Sequence, residues 1–309
     1  MASFQPCSFE ICSVPDNELD KLQSFLAKIQ SFTSGHERFS GLENWVEARV
    51  NEMLVGACRW RILLGNVGVV WPPVLDSIRL KNEIRTPHAD VTMDQIAVAL
   101  LKQAIAECDQ NAPRLMQTLV PINMPQIQNW FEQVGFRQFA ERVEMACDTR
   151  THLADVVKSP LTYESIANEN QSRFQRVFAQ TFIDSLDQAP DSYSGDLEQV
   201  WATYRDAGVF RPEHWLIARH ESRDVGCLIV TDDPRSGYCE LTYLGLAPEF
   251  RGQGWGWLLT HQAQHLARAV GRDTLQVAVA AQNAPALKTY TRVGFVEVAR
   301  RMVLVLKND

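Results

Sequence analysis

The sequence predicts an α/β protein made of two tandem copies of one fold, each a mixed, mostly antiparallel sheet flanked by helices. Three observations predict it. First, Asn123-Met124-Pro125-Gln126-Ile127 returns as Asn283-Ala284-Pro285-Ala286-Leu287, and Val134-Gly135-Phe136 returns as Val293-Gly294-Phe295. The offset is about 160 residues, half of the 309-residue chain, the mark of a tandem duplication. Second, both halves run in one order: helices, an antiparallel set of strands, then strand–helix–strand–helix–strand. Third, Gly252, Gly254 and Gly256 fall between a strand-like run and a helix-like run.

In the first copy, Phe9 to Val14 is the opening strand. Leu19, Leu22, Phe25, Leu26 and Ile29 recur at helical spacing and predict an amphipathic helix over Asn17 to Phe32. Trp45 to Val50 reads as a second helix. Met53 to Leu63 gives one or two strands, with Gly56 at a turn or bulge, and Val67 to Trp71 gives another, stopped by Pro72-Pro73. Asp94 to Cys108 is a helix and Leu115 to Val120 a strand. Pro125 to Val134 is a helix closed by Gly135. Phe139 to Ala146 is the closing strand. Asp148 to Pro160 is polar and reads as a linker, which sets the domains at 1–150 and 158–309.

In the second copy, Phe174, Val177, Phe178 and Phe182 predict a helix face within Arg173 to Ser185, and Asp196 to Ala207 is a further helix ended by Gly208. Trp215 to Arg219, Val225 to Thr231 and Tyr238 to Ala247 form an antiparallel meander. Trp257 to Val270 is an amphipathic helix capped by Gly271. Thr274 to Ala280 is nearly all apolar, as suits a buried strand. Asn283 stands at an N-cap position with Pro285 in the first turn. Phe295 to Arg300 and Met302 to Leu306 are the last strands.

Glycine lets a backbone turn sharply and leaves its amides unshielded. A helix start adds unpaired N–H groups and the positive end of a dipole. Arg251-Gly252-Gln253-Gly254-Trp255-Gly256 is therefore either a phosphate site or a plain tight turn. No Gly-Lys-Ser/Thr follows, so it is not a Walker loop. Its G-x-G-x-G spacing, and an acid (Asp273) that precedes the next strand, exclude a dinucleotide fingerprint.

Leu246-Ala247-Pro248-Glu249-Phe250-Arg251-Gly252-Gln253-Gly254-Trp255-Gly256 instead resembles the acyl-coenzyme A loop of the GCN5-related N-acetyltransferase (GNAT) family, whose pattern is Arg/Gln-x-x-Gly-x-Gly/Ala. The segment Asn283 to Tyr290, followed by Val293-Gly294-Phe295, resembles a second family element at the expected distance. The resemblance spans about residues 213 to 306. It implies two tandem GNAT domains, the second one active, with acetyl-CoA as the acyl-donor substrate and no metal. The expected reaction is direct attack of a primary amine, on a small molecule or a peptide, upon the thioester. The alternative is a non-catalytic acyl-CoA-binding regulator.

The resemblance also assigns roles. Amides from Arg251 to Gly256 (with Gly252, Gln253, Gly254 and Trp255 between) would hold the pyrophosphate, and the Trp255 ring would serve packing. The Arg251 side chain would pair with phosphate or cover the surface. Exposed backbone at Leu244, Gly245 and Leu246 would hold the pantetheine arm, with the Leu246 N–H at the oxyanion. Asn283 would touch the cofactor or serve as an N-cap. Tyr290 would be the general acid toward the thiolate, a role within the range of tyrosine hydroxyls, or a packing residue on the cofactor arm. Glu240 falls where histone-type members place a catalytic base, and is read as that base or as a strand-edge charge. A variant with glutamate on the next strand is excluded, since Ala278 stands there.

The first copy has no glycine between Trp71 and Asp94, and Trp130 stands where Tyr290 does. It is expected to lack acyl-CoA chemistry, and to serve as a packing partner or as a wall of the substrate cleft. Apolar content of 46% and charged content of 22% are those of a soluble globular protein. A net charge of −7 offers no nucleic-acid footprint. No apolar run is long enough to span a membrane, and the start lacks the features of a signal peptide. Seven scattered cysteines without C-x-x-C indicate neither zinc nor a disulfide framework. A cytoplasmic monomer or homodimer is expected.

Overall fold

The computed structural model describes residues 9–14, 18–30, 44–63, 65–83, 92–150, 159–166, 170–187, 204–205, 209–233 and 236–307. The chain forms two compact units, Met1–Phe139 with Met302–Asp309, and Ala140–Arg301. The division falls away from the 151–157 stretch suggested by sequence, for a reason of strand pairing. Strand β7 (Arg137–Asp148) lies antiparallel to β12 (Thr274–Ala280), in register from Asp148↔Thr274 to Arg142↔Ala280. Strand β13 runs unbroken over Val296–Lys307, not as two strands, and its Leu304 lies in the core of the first unit.

The first unit has β1 (Phe9–Ser13), α1 (Leu19–Gln30), β2 (Trp45–Val50), β3 (Met53–Leu63), β4 (Val67–Val70), β5 (Val74–Leu75), α2 (Ser77–Glu83), α3 (Met93–Asp109), β6 (Leu115–Pro121) and α4 (Pro125–Gln133). Neighbours pair antiparallel in the order β1-β2-β3-β4, and β6 then pairs parallel with β4. Trp45 to Val50 is thus a strand and not a helix. It is buried on both faces: Trp45 packs with Leu22 and Phe25 of α1, while Val46, Ala48 and Val50 pack in the core with Leu100 and Leu101 of α3. The sequence carries the period-two pattern of a strand here, with Val46, Ala48 and Val50 alternating with Glu47 and Arg49, so the helix reading passes over a signal that is present. A capping box starts α3, with Thr92 and Gln95 each accepting the other's backbone N–H.

Between β4 and α3 the first copy has β5 and α2. Here β5 pairs with β3, and a Cβ on Gly56 would lie 2.6 Å from Leu75 Cδ2. Helix α2 follows with Leu80 buried. Neither element is read from the sequence, because both are short. Trp130 donates its indole N–H to Asp94 Oδ1 at 2.7 Å.

The second unit adds β8 (Leu161–Ser165), α5 (Gln171–Phe182), β9 (Trp215–His220), β10 (Arg223–Asp233), β11 (Tyr238–Leu246), α6 (Trp255–Ala269) and α7 (Ala284–Arg292). The sheet order is β7-β12-β11-β10-β9-β8, antiparallel except at β11 and β12. Leu259, Ala263 and Ala267 of α6 and Tyr290 of α7 pack on one face of the sheet, and Phe174, Val177 and Phe178 of α5 pack on the other. Strand β8 has no sequence signal, since only Leu161 within it is buried. Of the helix expected over 196–207, all but 204–205 lies outside the described residues. Cys58, Cys108, Cys147, Cys227 and Cys239 are buried and Cys12 is exposed.

Candidate active site

The site begins with a parallel pair that comes apart. Strands β11 and β12 are in register only at Cys239↔Leu275 and Glu240↔Gln276. Beyond these, β11 continues to Leu246 and β12 to Ala280 without pairing to each other. The cause lies on the far edge of β11. There, Ile229 and Val230 of β10 face Tyr243 and Leu241, so Thr242 is an extra residue. Such a bulge bends and twists its strand, and it swings β11 away from β12.

Strand parity shows which groups enter the gap. The Ala247 N–H donates to Val225 O on β10. Successive residues of a strand direct their N–H groups to opposite edges, so Leu246 and Leu244 present theirs toward the splay. Gly245 faces β10. A Cβ there would lie 2.6 Å from Thr181 Cβ and 2.7 Å from Tyr243 Oη. This glycine admits α5 to the strand. Tyr243 Oη and Thr181 Oγ1 are 2.6 Å apart, and the Tyr243 ring stacks on Phe182.

The loop lies at the open end of β11. Gly252 (φ +77°) and Gly254 (φ +79°) are left-handed, a conformation that disfavours side chains. A Cβ on either would meet nothing within 4 Å, so both face open space. Gly254 is the N-cap of α6 and carries no side-chain cap. Among the described residues, the amides of Gly252 to Gly256 have no acceptor. They form a row of unshielded donors at a helix start, which fits a phosphate. Trp255 packs its ring on Phe250 and His220, and Gln253 Nε2 donates to Glu249 O.

Arg251 departs from this pattern. Its own N–H donates to Pro248 O. Its guanidinium donates to four main-chain carbonyls: Leu246 (3.0 Å), Thr181 (3.0 Å), Ile183 (2.6 Å) and Asp184 (3.0 Å).

Asn283 caps α7, its side chain accepting from Ala286 N at 3.2 Å, which leaves its amide NH₂ as a donor. Seven residues on, Tyr290 is buried and packs on Phe295. Burial, and then the charge of Asp187, push its hydroxyl well above the ordinary tyrosine range. A tyrosine hydroxyl in its neutral form has one proton to donate.

Glu240 is half-buried on β11. Cys239 and Leu241 beside it point into the core under α6, so Glu240 points to the opposite face. Glu144 of β7 shares that face and is paired with Arg301 at 2.6 Å. Among the described residues no cation lies within ion-pair distance of Glu240. Burial first, and then the Glu144 charge, push its carboxyl up.

Asp187 is a site residue that the sequence reading missed. Its Oδ1 accepts the Ala280 N–H at 2.9 Å, and Arg142 lies 3.6 Å away. Since Ala281 N–H donates to Glu141 O on β7, the Ala280 N–H points the other way, into the splay. No spacing signal marks this aspartate; only the fold brings it to β12.

Residues 178–295 match the model of the acetyltransferase (GNAT) family. A mycothiol acetyltransferase of Tsukamurella paurometabola is 40% identical over 70 residues, which span 23% of this chain and 24% of that relative. A GCN5-related N-acetyltransferase of Sphaerobacter thermophilus superposes over 97% of this chain and 95% of its own, with a TM-score of 0.69 and 14% identity. A tandem GNAT protein from the clavulanic acid biosynthesis pathway superposes over 97% and 98%, with a TM-score of 0.61 and 13% identity. Residues 178–295 are a GNAT-family domain, carried by a chain whose fold is that of tandem GNAT proteins.

Proposed function

We propose that the chain is an acetyl-CoA-dependent N-acetyltransferase, with its reaction centre in the second unit. The observation that carries this reading is the splay of β11 from β12, which ends at a loop of unshielded amides. The amides of Gly252 to Gly256 fit the pyrophosphate. The splay-facing edge of Leu244 and Leu246 fits a pantetheine arm laid along it as an added strand. Acetyl-CoA supplies the activated acyl group; the chain's residues hold and poise it.

In this reading Glu240, unpaired and with a raised pKa, takes the proton that the amine sheds as it attacks. The Leu246 N–H faces the charge that develops on the carbonyl oxygen. The Tyr290 hydroxyl gives its proton to the departing thiolate. The acceptor enters as a primary amine, and no covalent enzyme species forms. Only the reaction class is carried over from the matched relative, and not its acceptor. The first unit takes no part in acyl-CoA binding in this reading, since it has no glycine between Trp71 and Asp94 to leave its amides unshielded.

Calorimetry with acetyl-CoA tests the reading. One site per chain is expected, lost in Gly254→Glu. Two sites would mean that the first unit binds as well. Binding without thiol release on any of a panel of primary amines would favour a regulatory binder.

A further inference from the structure

We propose that Arg251 is a positioning residue for the thioester end of the site: it holds the segment 181–187 as a strap over the splay and does not bind the phosphates. The proposal rests on the acetyltransferase reading for the use of the site, but the tie itself is a matter of geometry.

The strap is anchored at both ends. At one end, the Arg251 fork takes the carbonyls of Thr181, Ile183 and Asp184, the last turn of α5 and the residues after it. These are acceptors that a helix C-terminus leaves unpaired. The same fork takes Leu246 O, the last residue of β11. At the other end, Asp187 accepts the Ala280 N–H at the tip of β12. The strap therefore runs from the end of one diverging strand to the end of the other. Asp184, in the middle, is left-handed (φ +53°), an uncommon state for a side-chain-bearing residue that the flanking bonds fix in place.

Two consequences follow for the reaction. The strap sets Asp187 where its charge bears on both Tyr290 and Tyr243. Tied across the ends of both strands, it is expected to limit the access of water to a thioester held in the splay. The first residue of the phosphate loop thereby serves the opposite end of the cofactor. A guanidinium that already donates to four carbonyls has little left for an anion.

The test uses the full chain, with Arg251→Gln and Arg251→Lys. Hydrogen exchange is followed for peptides covering 181–187 and 279–281, beside acetyl-CoA affinity by calorimetry and the slow hydrolysis of acetyl-CoA without amine. For Arg251→Gln we expect exchange at 181–187 and at the Ala280 amide to rise at least about tenfold, and hydrolysis to rise. Acetyl-CoA affinity should stay within about threefold, with Arg251→Lys intermediate in exchange. A tenfold or greater loss of affinity with strap exchange unchanged would overturn the proposal and make Arg251 a phosphate ligand. If wild type binds no acetyl-CoA, the acetyltransferase reading fails, and strap exchange alone still decides whether Arg251 holds the segment. A melting temperature close to that of wild type shows that the variants fold.

Discussion

Thr181 is seated on Gly245: a Cβ added to the glycine would lie 2.6 Å from the threonine's own Cβ. The helix and the strand meet at main-chain distance. Neither has a flexible end to move aside. Gly245→Ala should therefore cost about 1–3 kcal/mol, the usual price of overpacking. Urea denaturation measures it. A cost below about 0.5 kcal/mol would show that α5 shifts freely on β11.

Gly254→Glu places a carboxylate among the amides of the loop, on a left-handed residue. Acetyl-CoA binding should fall below detection while the first unit keeps its fold. Calorimetry gives the first quantity and hydrogen exchange over α3 the second.

Glu240→Gln should lower kcat by about 10²–10⁴, the range for losing a general base. In wild type, kcat/KM should rise with pH through a midpoint above the ordinary carboxylate range. The stability effect has the opposite sign. The folded carboxyl has a raised pKa, so the folded state holds its proton longer than the unfolded chain does. The ionised group thus opposes folding once pH exceeds the unfolded value, and stability is lost as pH climbs from there to the folded pKa. Glu240→Gln should raise the melting temperature at pH 7 and leave it unchanged at pH 3. Scanning calorimetry at the two pH values checks this.

Tyr290→Phe should leave acetyl-CoA affinity unchanged and lower kcat about 10–100-fold, less than the full effect of acid catalysis, because water can supply a proton. Burial holds the wild-type hydroxyl protonated past the usual tyrosine range. No alkaline loss of activity from this group is expected up to about pH 10. A wild-type kcat that declines with a midpoint near pH 8 would assign the acid elsewhere.

The sequence made legible those features that depend on a local rule. The glycines, the Asn283 cap and the apolar run of Thr274 to Ala280 each satisfy a constraint set within a few residues, and each lies where it was read. Glu240 and Tyr290 were placed by resemblance, and the structure adds their burial and neighbours. Trp45 to Val50 does alternate, Val46, Ala48 and Val50 against Glu47 and Arg49, and a helix reading of so short a run overlooks that period. Strand β8 was missed because a short strand with little buried side chain carries no pattern. The roles of Arg251 and Asp187 were hidden for a different reason. Their bonds to Thr181, Ile183, Asp184 and Ala280 cross 67 to 93 residues of chain, and no periodicity reports such contacts.

The placement of Ala140 to Asp148 in one unit, and of Met302 to Lys307 in the other, bears on the order in which the protein is made. A ribosome delivers the chain from its N-terminus, and domains ordinarily fold as they emerge. Here the first unit lacks Leu304 from its core until nearly the whole chain has been translated. The earlier half must wait, partly assembled, for the later one. For the same reason, cutting the gene at the apparent linker yields no pair of self-sufficient products. The front fragment keeps a strand that belongs to its neighbour, and the back fragment carries off one that its neighbour needs.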